Sequence, residues 1–173
     1  MAFDEGRSVF IYDDVMRKSI YRFKYGGRRE YAKFYAEEIV THLSDRINKW
    51  NVDVIVPIPL YKSKQKKRGF NQAFLIAKEI SNLTKIPVDE NLLLRTKKTE
   101  KQKKLGAFDR DRNLKNAFKM RPDKVQYLSA MLIDDIYTTG ATMNNASSVL
   151  KSGGIQHVYC ISLSTGIDVL RII

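Results

Sequence analysis

The chain has 173 residues, 43% of them hydrophobic, which suits one domain with a sizeable core and excludes an intrinsically disordered protein. Its formal net charge of +12 at pH 7 points to polyanionic partners, either a polyphosphate or nucleic acid. No apolar run reaches the length of a membrane span, charged Asp4, Glu5 and Arg7 stand where a signal peptide is apolar, and the single Cys160 excludes an internal disulfide and a cysteine zinc cluster.

These features predict a cytosolic protein. In chain order, Asp13 or Asp14 caps a first helix whose apolar positions include Val15, Met16, Ile20 and Phe23, and Gly26-Gly27 ends it. A second helix carries Tyr31, Tyr35, Ile39, Leu43 and Ile47 at a spacing of four, a drifting stripe that reads as core packing. Residues 52–56, Val-Asp-Val-Ile-Val, read as the first core strand and leave through Pro57-Ile58-Pro59, since proline suits a strand exit rather than its middle. Basic residues follow at Lys62, Lys64, Lys66, Lys67 and Arg68. Phe70-Asn71-Gln72 then opens a helix expected to turn Phe74, Ala77, Ile80 and Leu83 inward, and a strand-like stretch lies near Leu92–Leu94.

Residues 95–113 break the alternation with a long polar segment. Between Arg95 and Arg112 it sets eight Lys or Arg against Glu100, Asp109 and Asp111. A segment of this kind inside a compact domain reads as a lid or as disorder. The last unit is a strand at 130–133, a helix at about 142–151 stopped by Gly153-Gly154, and a strand at 155–163. That βαβ unit implies parallel strands joined by a right-handed crossover, and hence an α/β domain with an N-terminal helical addition. His42 and His157 lie far apart and read as ordinary histidines rather than metal ligands.

The richest motif is Leu132-Ile133-Asp134-Asp135-Ile136-Tyr137-Thr138-Thr139-Gly140-Ala141-Thr142. An apolar run of this type is a buried parallel strand, and open α/β sheets bind ligands beyond the carboxyl ends of such strands. Gly140 permits a tight turn, and Thr138, Thr139 and Thr142 place hydroxyls beside the free N–H groups of the helix that follows, where phosphate is favoured. Asp134 and Asp135 would repel that phosphate, so they suit neutral hydroxyls, as of a ribose diol, or help hold Mg²⁺. The motif therefore predicts a ribose 5-phosphate site. Neither G-x-x-x-x-G-K-[ST] nor G-x-G-x-x-G occurs in the chain.

The same residues resemble the phosphoribosyl-pyrophosphate (PRPP) loop of type I phosphoribosyltransferases. Pro57-Ile58-Pro59-Leu60, Arg68-Gly69-Phe70-Asn71-Gln72, then Arg95, Thr99, Gln102, Arg110, Asn113 and Phe118, with Phe23-Lys24-Tyr25-Gly26-Gly27 upstream, narrow the resemblance to the ComF/ComFC branch, from about residue 10 to the end. It implies a type I phosphoribosyltransferase-like parallel sheet flanked by helices, with a flexible hood loop over 95–113 that closes on the substrate. It also implies that Asp134 and Asp135 bind the ribose hydroxyls and that Thr138, Thr139, Gly140, Ala141 and Thr142 bind the 5-phosphate. Mg²⁺ would come with PRPP.

Pro57, Ile58, Pro59, Arg68, Asn71 and Gln72 are candidates for the pyrophosphate side or for bracing its loop. Family members often hold that loop with an unusual cis peptide, for which Val56-Pro57 or Ile58-Pro59 is the inexpensive place here. Arg95, Gln102 and Arg110 are the hood-loop candidates, and Lys24 is a further one. Members of the branch are associated with natural competence, with imported single-stranded DNA and with a partner helicase. They commonly begin with a cysteine-rich zinc ribbon, and no such segment stands before Phe10 in this sequence.

Three readings of function follow. The first is a PRPP-binding, ComFC-type protein of DNA uptake, with or without transferase activity. The second is a metabolic transferase that moves ribose 5-phosphate to a base or amine. The third is a non-enzymatic module gripping single-stranded DNA through the Lys62–Arg68 and 95–112 strips, where binding would be electrostatic and strongly salt-dependent.

Overall fold

The computed structural model describes residues 1–96, 117–122 and 127–166. β1 (Glu5–Ile11) opens the chain, followed by α1 (Asp14–Tyr25) and α2 (Tyr31–Trp50). β2 (Val54–Pro57), the short α3 (Lys62–Arg68) and α4 (Gln72–Thr84) come next. β3 (Leu93–Arg95) and β4 (Phe118–Met120) pair with each other, and β5 (Ser129–Tyr137), α5 (Ala141–Ser152) and β6 (His157–Thr165) complete the order.

The helices begin and end where their chemistry directs. Asp13 caps α1 by accepting from the Met16 N–H at 2.8 Å, and the Gly26 N–H closes it on the Arg22 carbonyl at 2.7 Å. Asn71 caps α4 through the Ala73 N–H at 3.1 Å. Along α2, Tyr35, Ile39, Leu43 and Ile47 are all buried, as their spacing predicts. Burying side chains of this size stabilises the fold by roughly 2 kcal/mol each before conformational entropy is subtracted.

Four strands form one parallel sheet in the order β1-β6-β5-β2. Strand side chains alternate between faces, so β5 divides its residues between two cores. Met131 and Ile133 join Phe23, Tyr35, Ile39, Ile76 and Ile80 from α1, α2 and α4. Ala130 and Leu132 join Met143, Ala146 and Leu150 of α5, together with Leu93 and Phe118 of the β3–β4 pair. Helices thus cover both faces of the parallel sheet, as expected.

Several local expectations change. β1 was not anticipated, because its Glu-Gly-Arg-Ser start lacks the apolar signature of an inner strand; it is an edge strand, paired on one side with β6. The N-terminal addition therefore contributes a strand as well as two helices. The Leu92–Leu94 stretch joins a separate antiparallel pair rather than the main sheet. On α4, Leu83 is 49% exposed and Phe74 half-buried, while Ala73, Ile76, Ala77 and Ile80 form the inward face. Leu83 shares the helical face of Ile76 and Ile80, but it lies in the last turn of α4, one residue before the helix ends at Thr84, and is left open to solvent there.

β5 runs four residues past Ile133, so Asp134 and Asp135 lie within the strand, Asp134 opposite Ser162 of β6. Among the described residues no peptide bond is cis, which removes the expected cis bond at Val56-Pro57 or Ile58-Pro59. The exit loop of β2 is held by hydrogen bonds instead: the Ile58 N–H donates to the Ile133 carbonyl at 2.9 Å, and Asn71 Nδ2 donates to the Ile58 carbonyl at 3.1 Å.

The topology creates a crevice. After β2 the chain passes to the edge away from β5, where Val88 forms a parallel bridge with Ile55, whereas after β5 it passes to β6 on the other side. The carboxyl ends of β2 and β5 are therefore a topological switch point, the usual ligand position in open α/β sheets. Among the described residues, no helix is long and apolar enough to cross a membrane.

Candidate functional site at the ends of β2 and β5

The β5 exit is compact. Thr138 and Thr139 are exposed, Ala141 and Thr142 half-buried, and Gly140 turns the chain into α5 with φ 77°. A side chain at Gly140 would be strained by that backbone and would also collide with the Tyr137 phenol, which is buried and meets Phe3 edge-on at 6.4 Å. No side chain caps α5 at Gly140. Its first N–H groups and the Thr138, Thr139 and Thr142 hydroxyls thus gather at one corner.

The two acids differ. Asp135 is 5% exposed, and Lys24 at the end of α1 forms a tight ion pair with its Oδ2. Asp134 is half-buried as a residue, and its Oδ1 accepts the Asp135 N–H at 2.8 Å. Burial first, and then the charge of Asp135, push the Asp134 carboxyl well above the usual carboxylate range, with Lys24 opposing the shift. Arg95 lies near enough for Asp134 to act on it: burial lowers the pKa of its guanidinium and Asp134 raises it. The Arg95 guanidinium packs over the Phe118 ring at 5.3 Å.

On the β2 side, Pro57 and Ile58 are buried and Pro59 half-buried. Arg68 donates to Gln72 Oε1, lies over the Tyr25 ring at 5.0 Å, and reaches the Tyr25 hydroxyl at 3.2 Å. Gln72, 4% exposed, therefore braces Arg68, while Asn71 braces the exit loop and caps α4. A cleft of about 850 Å³ opens beside this loop, lined in part by Pro59, Tyr61, Asn71 and Arg95.

The fold thus brings the β5 motif, the Pro57–Pro59 exit, Arg68, Asn71, Gln72 and Arg95 to one end of the sheet. Gln102 and Arg110, with the rest of the expected hood loop from residue 97, lie outside the described residues. His42 pairs with Glu38 at 3.4 Å on α2, His157 starts β6, and no cluster of three or more His, Cys, Asp or Glu suited to a metal occurs among the described residues.

Part of this chain, 108 residues, is 40% identical to "Competence protein F" of Haemophilus influenzae, covering 61% of this chain and 47% of that protein. Over 151 residues it is 32% identical to "Competence protein ComFC" of Bacillus subtilis, covering 87% of this chain and 59% of that one. The chain is a ComF/ComFC homologue. It is also 35% identical over 111 residues to "DNA utilization protein YhgH" of Escherichia coli, which covers 63% of this chain and 48% of that protein. The chain spans about half the length of these curated relatives.

No family model matches it. Among solved structures it is similar to adenine phosphoribosyltransferase from Leishmania donovani, with a TM-score of 0.44 and 16% identity over 75% of this chain and 64% of that one. The corresponding figures for the Leishmania tarentolae enzyme are 0.44, 18%, 78% and 71%.

Within this ComFC homologue, the feature that sequence reasoning missed is the partner of Lys24. Lys24 meets Asp135 across 111 positions, and no local period announces such a pair. The available signal was the Phe-Lys-Tyr-Gly-Gly stop of α1, where a lysine is followed at once by the turn that ends the helix.

Proposed function

We propose that this chain is the PRPP-binding part of a ComFC-type protein serving DNA uptake in natural competence, acting in the cytosol on single-stranded DNA with a helicase partner. The observation that carries the PRPP reading is the β5 exit: paired acids running directly into a helix N-terminus that begins at Gly140 without a cap side chain of its own, with Thr139 Oγ1 accepting the Ala141 N–H at 3.4 Å, at the switch point of a parallel sheet. The relatives' names, with their competence and DNA-utilization terms, support the cellular role.

In this reading the 5-phosphate lies on the N–H groups of α5 with the hydroxyls of Thr138, Thr139 and Thr142, and the ribose diol hydrogen-bonds to Asp134. Asp135, neutralised by Lys24, fixes the strand end from below. The diphosphate lies toward the Ile58-Pro59 loop, within reach of Arg68 and Arg95. The donor set fits a Mg²⁺ carried by the diphosphate oxygens better than a protein cage, because one of the two carboxylates is already paired to Lys24. The ion would supply neutralisation of the leaving diphosphate. The chain's own residues supply positioning and a water-poor strand end, the main sources of rate in such a displacement.

Calorimetry with PRPP and Mg²⁺ tests the reading. The wild type is expected to bind, and both the Asp134→Asn, Asp135→Asn double variant and a Thr142→Val variant are expected to lose at least about tenfold in affinity, ~1.4 kcal/mol. Absence of wild-type binding at about 1 mM PRPP would overturn it.

A further inference from the structure

Behind the acids lies a second, strongly basic cleft of about 440 Å³. The sequence of α3, Lys-Ser-Lys-Gln-Lys-Lys-Arg, carries five cations and no acid, and Lys64, Lys67 and Arg68 recur at the three- and four-residue spacing that shares one helix face. All three line the cleft, opposite Lys24 and Arg29 from the α1 end and the loop after it. No carboxylate is among the described residues lining it, and Lys24 is held from behind by Asp135.

Like charges converging on one hollow repel each other, and an anion in the cleft relieves that repulsion. Two guanidinium groups are already oriented on aromatic rings, Arg29 over Phe70 at 4.9 Å and Arg68 over Tyr25 at 5.0 Å. Held in this way, their planar forks suit the oxygens of a phosphate. The neighbouring surface is aromatic: Tyr21 and Tyr25 are 64% and 58% exposed, with ring centroids 5.0 Å apart and planes inclined at 48°, so each offers a separate ring for a base to stack on. The volume falls in the range of small-ligand sites.

We propose that this cleft binds the phosphate of a nucleotide, free or within a single strand, with its base against Tyr25. The proposal deepens the PRPP reading by setting a second phosphorylated ligand beside that site, with Lys24 and Arg68 as the shared wall, but it stands on residues outside the β5 motif.

The test uses the full chain and thymidine 5′-monophosphate as the probe at low salt, with thymidine and inorganic phosphate alongside. The nucleotide is expected to bind at least about tenfold more tightly than thymidine. A Lys64→Glu, Lys67→Glu double variant, changed only at exposed helix positions and checked by its circular dichroism melt, is expected to lose at least about tenfold in nucleotide affinity and to keep PRPP affinity. Tyr25→Leu is expected to erase the preference for nucleotide over phosphate.

A thymidine oligonucleotide identifies the source. A salt slope steeper than that of the mononucleotide points to a strand, and an equal slope to a free nucleotide. Wild-type binding of nucleotide no tighter than thymidine overturns the proposal. So does loss of PRPP affinity in the double charge variant, which would make the cleft the seat of PRPP's own diphosphate. If PRPP fails to bind the wild type while the nucleotide binds and charge reversal abolishes it, the PRPP reading falls and this one stands.

Discussion

The two strand exits that meet at the site are built differently. At β5 the chemistry is contiguous: two acids, three threonines and a glycine within nine residues, all aimed at one corner by a strand, a turn and a helix start. At β2 the local residues are mostly prolines and aliphatic side chains, and the polar groups arrive from elsewhere. Asn71 reaches back 13 positions to the Ile58 carbonyl, and Ile58 donates to Ile133 of the neighbouring strand. The first exit encodes its ligand groups in order; the second is a scaffold whose shape depends on partners. Even the first is not self-sufficient, because Asp135 depends on Lys24 from α1.

The largest test breaks that dependence. Lys24→Met leaves Asp135 buried without its countercharge and is expected to cost about 4 kcal/mol in denaturant unfolding. Adding Asp135→Asn should recover most of the loss, and a double variant no more stable than Lys24→Met alone would show that the ion pair is not the source. Gly140→Val attacks the β5 exit locally, where φ 77° and the Tyr137 phenol both oppose a side chain. We expect a loss of about 3 kcal/mol, read from the urea midpoint.

Asn71→Ala attacks the β2 exit from a distance by removing the α4 cap and the bond to Ile58 together, for about 1.5 kcal/mol. Asn71→Asp keeps the capping oxygen and loses only the donor to Ile58, so it separates the two roles.

The smallest effect is a pH dependence. The Asp134 carboxyl sits well above its unfolded value of 3.8, so the native state holds that proton more tightly than the unfolded chain does. Its contribution is present below pH 3.8 and is lost as pH rises through the native value. Asp134→Asn should therefore gain stability relative to wild type across that rise. A difference between the two proteins that does not change with pH would show that the native fold does not raise the Asp134 carboxyl.

How much was legible in the sequence follows from the range of each interaction. The caps at Asp13 and Asn71, the α2 stripe and the strand-turn-helix corner around Gly140 depend on neighbours within a turn or two, so residue order alone specified them. β1 did not announce itself, since an edge strand needs little apolar alternation once β6 offers its hydrogen-bonding edge. The length of β5 was underestimated for a related reason: Asp134 and Asp135 look like a strand end, yet pairing with β6 carries the strand through them to Tyr137.

Tertiary structure alone decided which lysine neutralises Asp135, that Gln72 braces Arg68, and that α3 closes a basic cleft against α1. The sequence by itself determined that a phosphate-seeking corner exists, because a glycine turn, hydroxyls and a helix start are local chemistry. It left open what surrounds that corner, because charges distant in the chain are brought together only when the apolar faces of α1, α2 and α4 bury against the sheet.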